Sequence, residues 1–174
     1  FGIQISGAAS VNISKLNTTA LVDGVTINNG ATGTRVTVQA INRANQVSAA
    51  GAAALNLKAG GSGGGGSNAS VGGAVAYSKI ADSTKARIED STLVNTPQVA
   101  VRALDGSLQI ALGVGASVST STSGGQTTIA GSVSIAQSRN TTEAGIERSQ
   151  VDGGSFSGTG SDPRVLEVVA YDHT

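Results

Sequence analysis

The sequence predicts an all-β chain folded as a β-solenoid, a parallel β-helix of about three repeat units of roughly 60 residues each. Three observations point there. A motif of small and β-branched residues occurs three times: GAASVNISKLNTTALVDGVTI from Gly7, GGAVAYSKIADSTKARIEDSTL from Gly72 and GSVSIAQSRNTTEAGIERSQV from Gly131. Within each copy the residues alternate with a period of two, the pattern of a strand. The packing material is small: 25 Gly, 2 Phe, 2 Tyr and no Trp, Met or Cys. A core must then come from Val, Ile and Ala in closely stacked strands.

Gly7, Gly73 and Gly131 anchor the copies, 66 and then 58 residues apart. The first strand of each copy sets Gly7, Ala9, Val11 and Ile13 on one face. Their counterparts are Gly73, Val75, Tyr77 and Lys79, then Gly131, Val133, Ile135 and Gln137. The other face is small or polar: Ala8, Ser10, Asn12; Ala74, Ala76, Ser78; Ser132, Ser134, Ala136. With the larger face turned to the core, Val75 and Val133 are expected to be buried.

Turns follow at Asn17-Thr18, Ser83-Thr84 and Thr141-Thr142, residue types that bond their own backbone. In the next strand Ala20 and Val22 match Ala86 and Ile88, then Ala144 and Ile146, all expected inward. Lys85, Arg87, Glu89 and Glu147 are expected outward and exposed. A third strand repeats Val36, Val38, Ala40 as Val99, Val101, Ala103 and as Leu166, Val168, Ala170. Long alternating runs, QVSAAGAAALNL (46–57) and LQIALGVGASVS (108–119), lead through Gly/Ser patches into the next copy.

Residues 1–174 thus read as one repeat-built domain with units at about 1–66, 67–124 and 125–174. At ~20 residues per turn each unit would hold about three turns, stacked into a rod on the order of 40 Å long. The alternative architecture folds LQIALGVGASVST back on TTIAGSVSIAQS through SGGQ, an antiparallel long hairpin that would build a sandwich or meander. The stretch GGSGGGGS (60–67) reads as a native loop, with an engineered linker as the other reading.

Lys plus Arg equal Asp plus Glu at 11 each, and no basic block occurs. That argues against nucleic acid and against an anionic membrane surface as partners. No apolar run approaches the ~20 residues that span a bilayer, so no membrane insertion is expected. No signal-peptide pattern is present. The lack of Met, even at position 1, predicts a piece of a longer chain. Absence of Cys excludes disulfides and thiolate metal sites, and it suits a chain that must cross an outer membrane unfolded.

The motif as it stands in GGAVAYSKIADSTKARI resembles the repeats of very large secreted bacterial adhesins, the filamentous-haemagglutinin-like and leukotoxin-type proteins exported by type V or two-partner secretion. The resemblance covers the three recurring segments, about half of the chain, and rests on their pattern of small and β-branched residues. The amino-terminal secretion domain of that family is not recognisable. What the resemblance implies is a structural, non-catalytic shaft on the outer surface of a Gram-negative bacterium, with a host or matrix receptor as partner. Other functions that fit the residues are a self-assembling extracellular fibre or biofilm-matrix protein, and a carbohydrate-active β-helix enzyme.

No catalytic, cofactor-binding or metal residues are expected. His173 stands one residue from the end, a poor place for a positioned base. Asp23, Glu89 and Glu147 recur at one repeat position, which suits a solvated row neutralised by Lys85, Arg87 and Arg148 better than a catalytic pair. Calcium-binding repeat and EF-hand patterns are missing, so Asp23-Gly24, Asp105-Gly106 and Asp152-Gly153 read as turns. Thr32-Gly33-Thr34 and Thr120-Ser121-Thr122 do not share a repeat position, as an ice-binding row would require. Asn12, Asn17, Asn68 and Asn140 are glycosylation acceptors by sequence, and a chain this rich in Asn, Ser and Thr produces such triplets by chance. The terminal stretches FGIQIS and VLEVVAYD are strand-like and predict end-to-end self-association.

Overall fold

The computed structural model describes residues 2–28, 35–57, 68–120, 125–154 and 165–173. The Gly/Ser stretch 60–67 and Thr32-Gly33-Thr34 lie outside them, as do Ser121 and Thr122. Among the described residues all regular structure is strand. The first repeat supplies β1 (Gly2–Ser14), β2 (Asn17–Asp23), β3 (Thr26–Asn28), β4 (Arg35–Asn42) and β5 (Asn45–Leu57). The second supplies β6 (Asn68–Ile80), β7 (Ser83–Glu89), β8 (Thr92–Val94), β9 (Gln98–Asp105) and β10 (Leu108–Thr120). The third supplies β11 (Gln126–Ser138), β12 (Thr141–Glu147), β13 (Gln150–Val151) and β14 (Val165–Asp172).

Corresponding strands lie side by side in the orders β1-β6-β11, β10-β5, β12-β7-β2, β13-β8-β3 and β14-β9-β4. The last three sheets are parallel, with Ala20↔Ala86↔Ala144 and Val22↔Ile88↔Ile146 in register. Val36, Val99 and Leu166 stack in the same way, as do Val38, Val101 and Val168. The fold is a parallel β-helix. Its coil is longer than the sequence suggested. A strand meets its own counterpart one whole repeat later, as when Leu16 N–H donates to Asp82 across 66 residues and Asp82 N–H to Asn140 across 58. The first two repeats each make one coil of five strands, and the third contributes four among the described residues, not three ~20-residue turns apiece. Among the described residues no sheet is more than three strands deep, so the outer strands of a sheet lie about 10 Å apart and none of these sheets forms the ~40 Å stack.

The chain forms two compact units, and each takes strands from all three repeats. One comprises Ser14–Asn45, Ile80–Leu108 and Ser138–Thr174. Its three parallel sheets surround an apolar core of Val38, Ala40, Ala86, Ile88, Leu93, Val99, Val101 and Ala103, with Val22, Ile27, Ile146 and Val151 packed against it. The middle coil is the most deeply buried because a coil covers it on either side. Ile88 is fully buried, while Val22 and Ile146 are half-buried. Leu93 sits in this core between Ile27 and Val151. Leu93→Ala should leave a cavity and cost about 2–5 kcal/mol, seen as a lower urea midpoint. One corner turns through the left-handed region in all three coils, at Gly24 (φ 63), Asp90 (φ 47) and Arg148 (φ 46). Glycine adopts this conformation freely, and the two other residues are held there by their surroundings.

The other unit comprises Phe1–Ile13, Gln46–Lys79 and Gln109–Gln137. It holds the 13-residue strands in two sheets, β1-β6-β11 and β5-β10. Here the expected orientation is reversed. Ala74, Ala76, Ser70 and Ser78 are buried, opposite Ser48, Ala50 and Ala54, whereas Val75 is 45% and Val133 53% exposed. The reason is the closeness of the two sheets. A Cβ on Gly72 would stand 2.2 Å from the carbonyl oxygen of Ala116, and one on Gly115 2.1 Å from that of Gly131. Only Gly, Ala and Ser fit between backbones that close. Some of the buried hydroxyls bond across the gap: Ser70 Oγ donates to the Ala54 carbonyl at 2.9 Å, and Ser10 and Ser48 share a bond of 2.9 Å. The antiparallel hairpin alternative is overturned as well. β10 pairs with β5 and β11 with β6, so the two runs belong to different sheets and do not pair with each other.

Candidate functional site

The outward face of β2, β7 and β12 is dense in charge. Alternation sends Ala86 and Ile88 inward and Lys85, Arg87 and Glu89 outward, and the register stacks Asp23, Glu89 and Glu147 in one row. Arg87 lies at its centre. It donates to Glu89 Oε1 at 3.0 Å, hydrogen-bonds Glu143 and reaches Glu147 at 3.6 Å. Lys85 Nζ stands 3.4 Å from Glu143. Arg148 grips Asp90 with both ends of its fork, at 2.7 and 2.9 Å, and approaches Glu89 at 3.7 Å and Glu147 at 3.6 Å. The neutralised row is therefore present. Glu147 is exposed as expected. Lys85 is half-exposed, and Arg87 and Glu89 keep only 23% and 20% of their side-chain surface, because the coils on either side flank them.

These pairs set the protonation behaviour. The Arg87 hydrogen bond, helped by the charges of Arg87 and Lys85, holds the Glu143 carboxyl below its ordinary range. Arg148 does the same to Asp90, and Arg102 to Glu167, which it binds through Nε at 3.0 Å. A carboxylate lowered on folding adds stability above its unfolded pKa, here 4.5 for Glu and 3.8 for Asp; that stability is lost as pH falls through the folded value. Asp172 has the opposite sign. Burial, then the nearby charge of Asp105, raises it, so its contribution is present below 3.8 and lost as pH rises through the folded value. The three lowered groups act in one direction and Asp172 against them. The urea midpoint should fall between about pH 6 and about pH 3, and less so in high salt. An unchanged midpoint would show that the pairs do not contribute.

A second polar cluster is buried in the three-sheet unit. Asp82 and Asp105 are each 2% exposed. The Asn42 Nδ2 donates to both, at 2.9 Å to Asp82 and 3.2 Å to Asp105. Leu16 N–H donates to Asp82 at 2.9 Å; Thr84 Oγ1 and Ser107 Oγ donate to Asp105 at 3.2 and 2.6 Å. The sequence reading placed Asp105 only in a turn and did not single out Asp82 or Asn42. A signal was there: Asn42, Asp105 and Asp172 end the inward row Val-x-Val-x-Ala and so share its face. Chemically the cluster ties β4, β7 and β9 together through carboxylates buried with neutral donors. Among the described residues no three His, Cys, Asp or Glu side chains gather as a metal site.

The remaining sequence-marked residues lie apart. His173 follows β14, its N–H bonded to the Asp105 carbonyl at 2.9 Å and its ring stacked on Tyr171. Asp23-Gly24, Asp105-Gly106 and Asp152-Gly153 all lie at strand ends, and Asp152 Oδ1 accepts from Gly154 N–H at 2.8 Å. Of the acceptor asparagines, Asn17 is exposed and Asn68 opens β6. Asn12 donates weakly to the Val47 carbonyl at 3.4 Å, and Asn140 accepts from Asp82 N–H at 3.4 Å. No helix among the described residues is long and apolar enough to cross a membrane. No protein-family model matches the chain, and neither a curated protein nor a solved structure shows significant similarity to it.

Proposed function

We propose that this chain is a structural segment of a bacterial cell-surface or secreted adhesin, a non-catalytic shaft that extends and presents other parts of its parent. The observation that carries this reading is that one repeat makes one coil, with Val, Ile and Ala ladders in register. A fold of this kind lengthens by adding copies, without redesign of the core. The charged face supports it too. Sugar cleavage needs one carboxyl with a raised pKa beside a second carboxylate, whereas Glu143 and Asp90 on this face are lowered by their arginines, and the raised Asp172 lies off this face beside Asp105, a buried carboxylate already held by Asn42, Thr84 and Ser107. A host or matrix receptor belongs to this proposal through the adhesin resemblance alone. Gold-labelled antibody against this segment, applied to intact Gram-negative cells of the source, should decorate their outer surface. Label found only after the cells are opened would refute the proposal.

A second reading, a self-assembling extracellular fibre or matrix protein, draws on the ends of the three-sheet unit. β2, β3 and β4 form one edge, and β12, β13 and β14 the other. On β14, Leu166 is 62% and Val168 44% exposed, although Val99 and Val101 at the same repeat positions are buried. Unpaired backbone beside apolar side chains invites a further coil, and zero net charge opposes it little. End-to-end association that grows with concentration is the expected result in sedimentation and scattering. Val168→Lys should suppress it.

A further inference from the structure

We infer that the outer face of the sheet β1-β6-β11 is a pairing surface for a second copy of this chain, distinct from the coil edges and independent of the shaft reading. Apart from its glycines and Lys79 and Gln137 at one end, its side chains are mostly apolar, and those of the two outer strands point to solvent. Ile3, Ile5, Val11 and Ile13 of β1 are 56–78% exposed, and Ile129, Val133 and Ile135 of β11 are 47–57% exposed. In all five 13-residue strands the single charged residue is Lys79. Monomers rarely show so continuous an apolar patch.

Size selects the partner. Three strands of this length, ~3.4 Å per residue and ~4.8 Å apart, cover about 600 Å². Two such faces together remove about 1,200 Å², which reaches the range of stable specific interfaces. The outer face of β5-β10 has two strands, and a pair of those would bury only about 850 Å².

The face also carries its own complement. Gly7, Gly73 and Gly131 occupy one repeat position and form a bare row, flanked by Ile5, Val71 and Ile129 on one side and by Ala9, Val75 and Val133 on the other. The coil itself does not ask for these glycines. A Cβ on Gly73 or Gly131 would meet nothing within 4 Å, one on Gly7 only a carbonyl at 3.9 Å, and none has a positive φ. A groove left empty in all three coils beside an apolar ridge fits an external ridge of the same spacing. Two copies related by a two-fold axis supply it to each other.

Sedimentation equilibrium and light scattering over a concentration series test the pairing, with circular dichroism to verify folding. The chain should form a dimer. Val75→Lys combined with Val133→Lys should raise its dissociation constant by about 100-fold or more. Gly73→Phe should weaken it in the same direction by filling the groove, and has room to fold within its own coil. Leu112→Lys on the β5-β10 face and Val168→Lys on the coil edge should leave the dimer intact. A monomer at every concentration up to about 100 µM overturns the inference, as does a dimer that survives Gly73→Phe. A monomer that binds neutral lipid vesicles would assign the face to a bilayer and overturn it as well.

Discussion

Ile88→Asp is expected to unfold the three-sheet unit, at a cost of about 4 kcal/mol or more. Ile88 is fully buried and stacks in register between Val22 and Ile146. Its neighbours in the core, Ala86, Leu93, Val99 and Val101, are all apolar. An aspartate there would lose its hydration and find no donor. Ile88→Val keeps the ladder and removes one methylene, so it should cost only about 1 kcal/mol. Urea melts of the two variants separate the cases. Similar small losses in both would mean that this position does not face a core, and the alternation assigned to β7 would be wrong.

Asn42→Leu should cost roughly 3 kcal/mol, although it removes no charge and no apolar contact. The Asn42 amide bonds both Asp82 and Asp105, at 2.9 and 3.2 Å, where the Ser107 hydroxyl reaches Asp82 only at 3.5 Å. Leucine has a similar volume and no donor. Asp82 would keep its bond from Leu16 N–H, and Asp105 those from Thr84 and Ser107, but each buried carboxylate would lose a partner at once. Asn17→Ala, at an exposed position, should stay within ~0.5 kcal/mol. Equal effects of the two substitutions in urea melts would show that the buried carboxylates do not rely on the shared amide.

The second and third strands of each repeat were legible in the sequence, faces and register included. There Ala86 and Ile88, or Val99 and Val101, alternate with Arg87 or Arg102, and a charged partner leaves no doubt which face meets water. The first strand offers no such contrast. Ala74, Ala76 and Ser78 alternate with Gly73, Val75 and Tyr77; the one charged residue of that face, Lys79, stands at the strand end, and size, which pointed the wrong way, was followed instead. The deciding quantity is the gap between the two sheets, which depends on Gly72 and Gly115 meeting backbones distant in sequence. The coil length was hidden for a different reason. Periodicity locates strands but does not say how many close one turn, and a coil of five strands reads locally like several shorter coils. Of the buried carboxylates, Asp105 could be placed by parity with Asn42 and Asp172. Asp82 could not, since its counterparts are Leu16 and Asn140 and carry no common chemistry.

The most direct test of one coil per repeat is disulfide cross-linking, because the chain has no cysteine of its own. Thr19, Lys85 and Glu143 lie side by side on the outward face of adjacent coils. Parallel neighbours sit about 4.8 Å apart, within the ~4.4–6.8 Å that a disulfide spans between Cα atoms. In dilute protein, Thr19→Cys with Lys85→Cys should therefore oxidise to an intramolecular link, and so should Lys85→Cys with Glu143→Cys. Lys85→Cys with Glu147→Cys, four residues out of register and about 14 Å away, should not. Links at the two in-register pairs alone are what the stacked coils predict. A folded protein in which those pairs stay reduced, or in which the out-of-register pair links as readily, would contradict the parallel one-repeat coil.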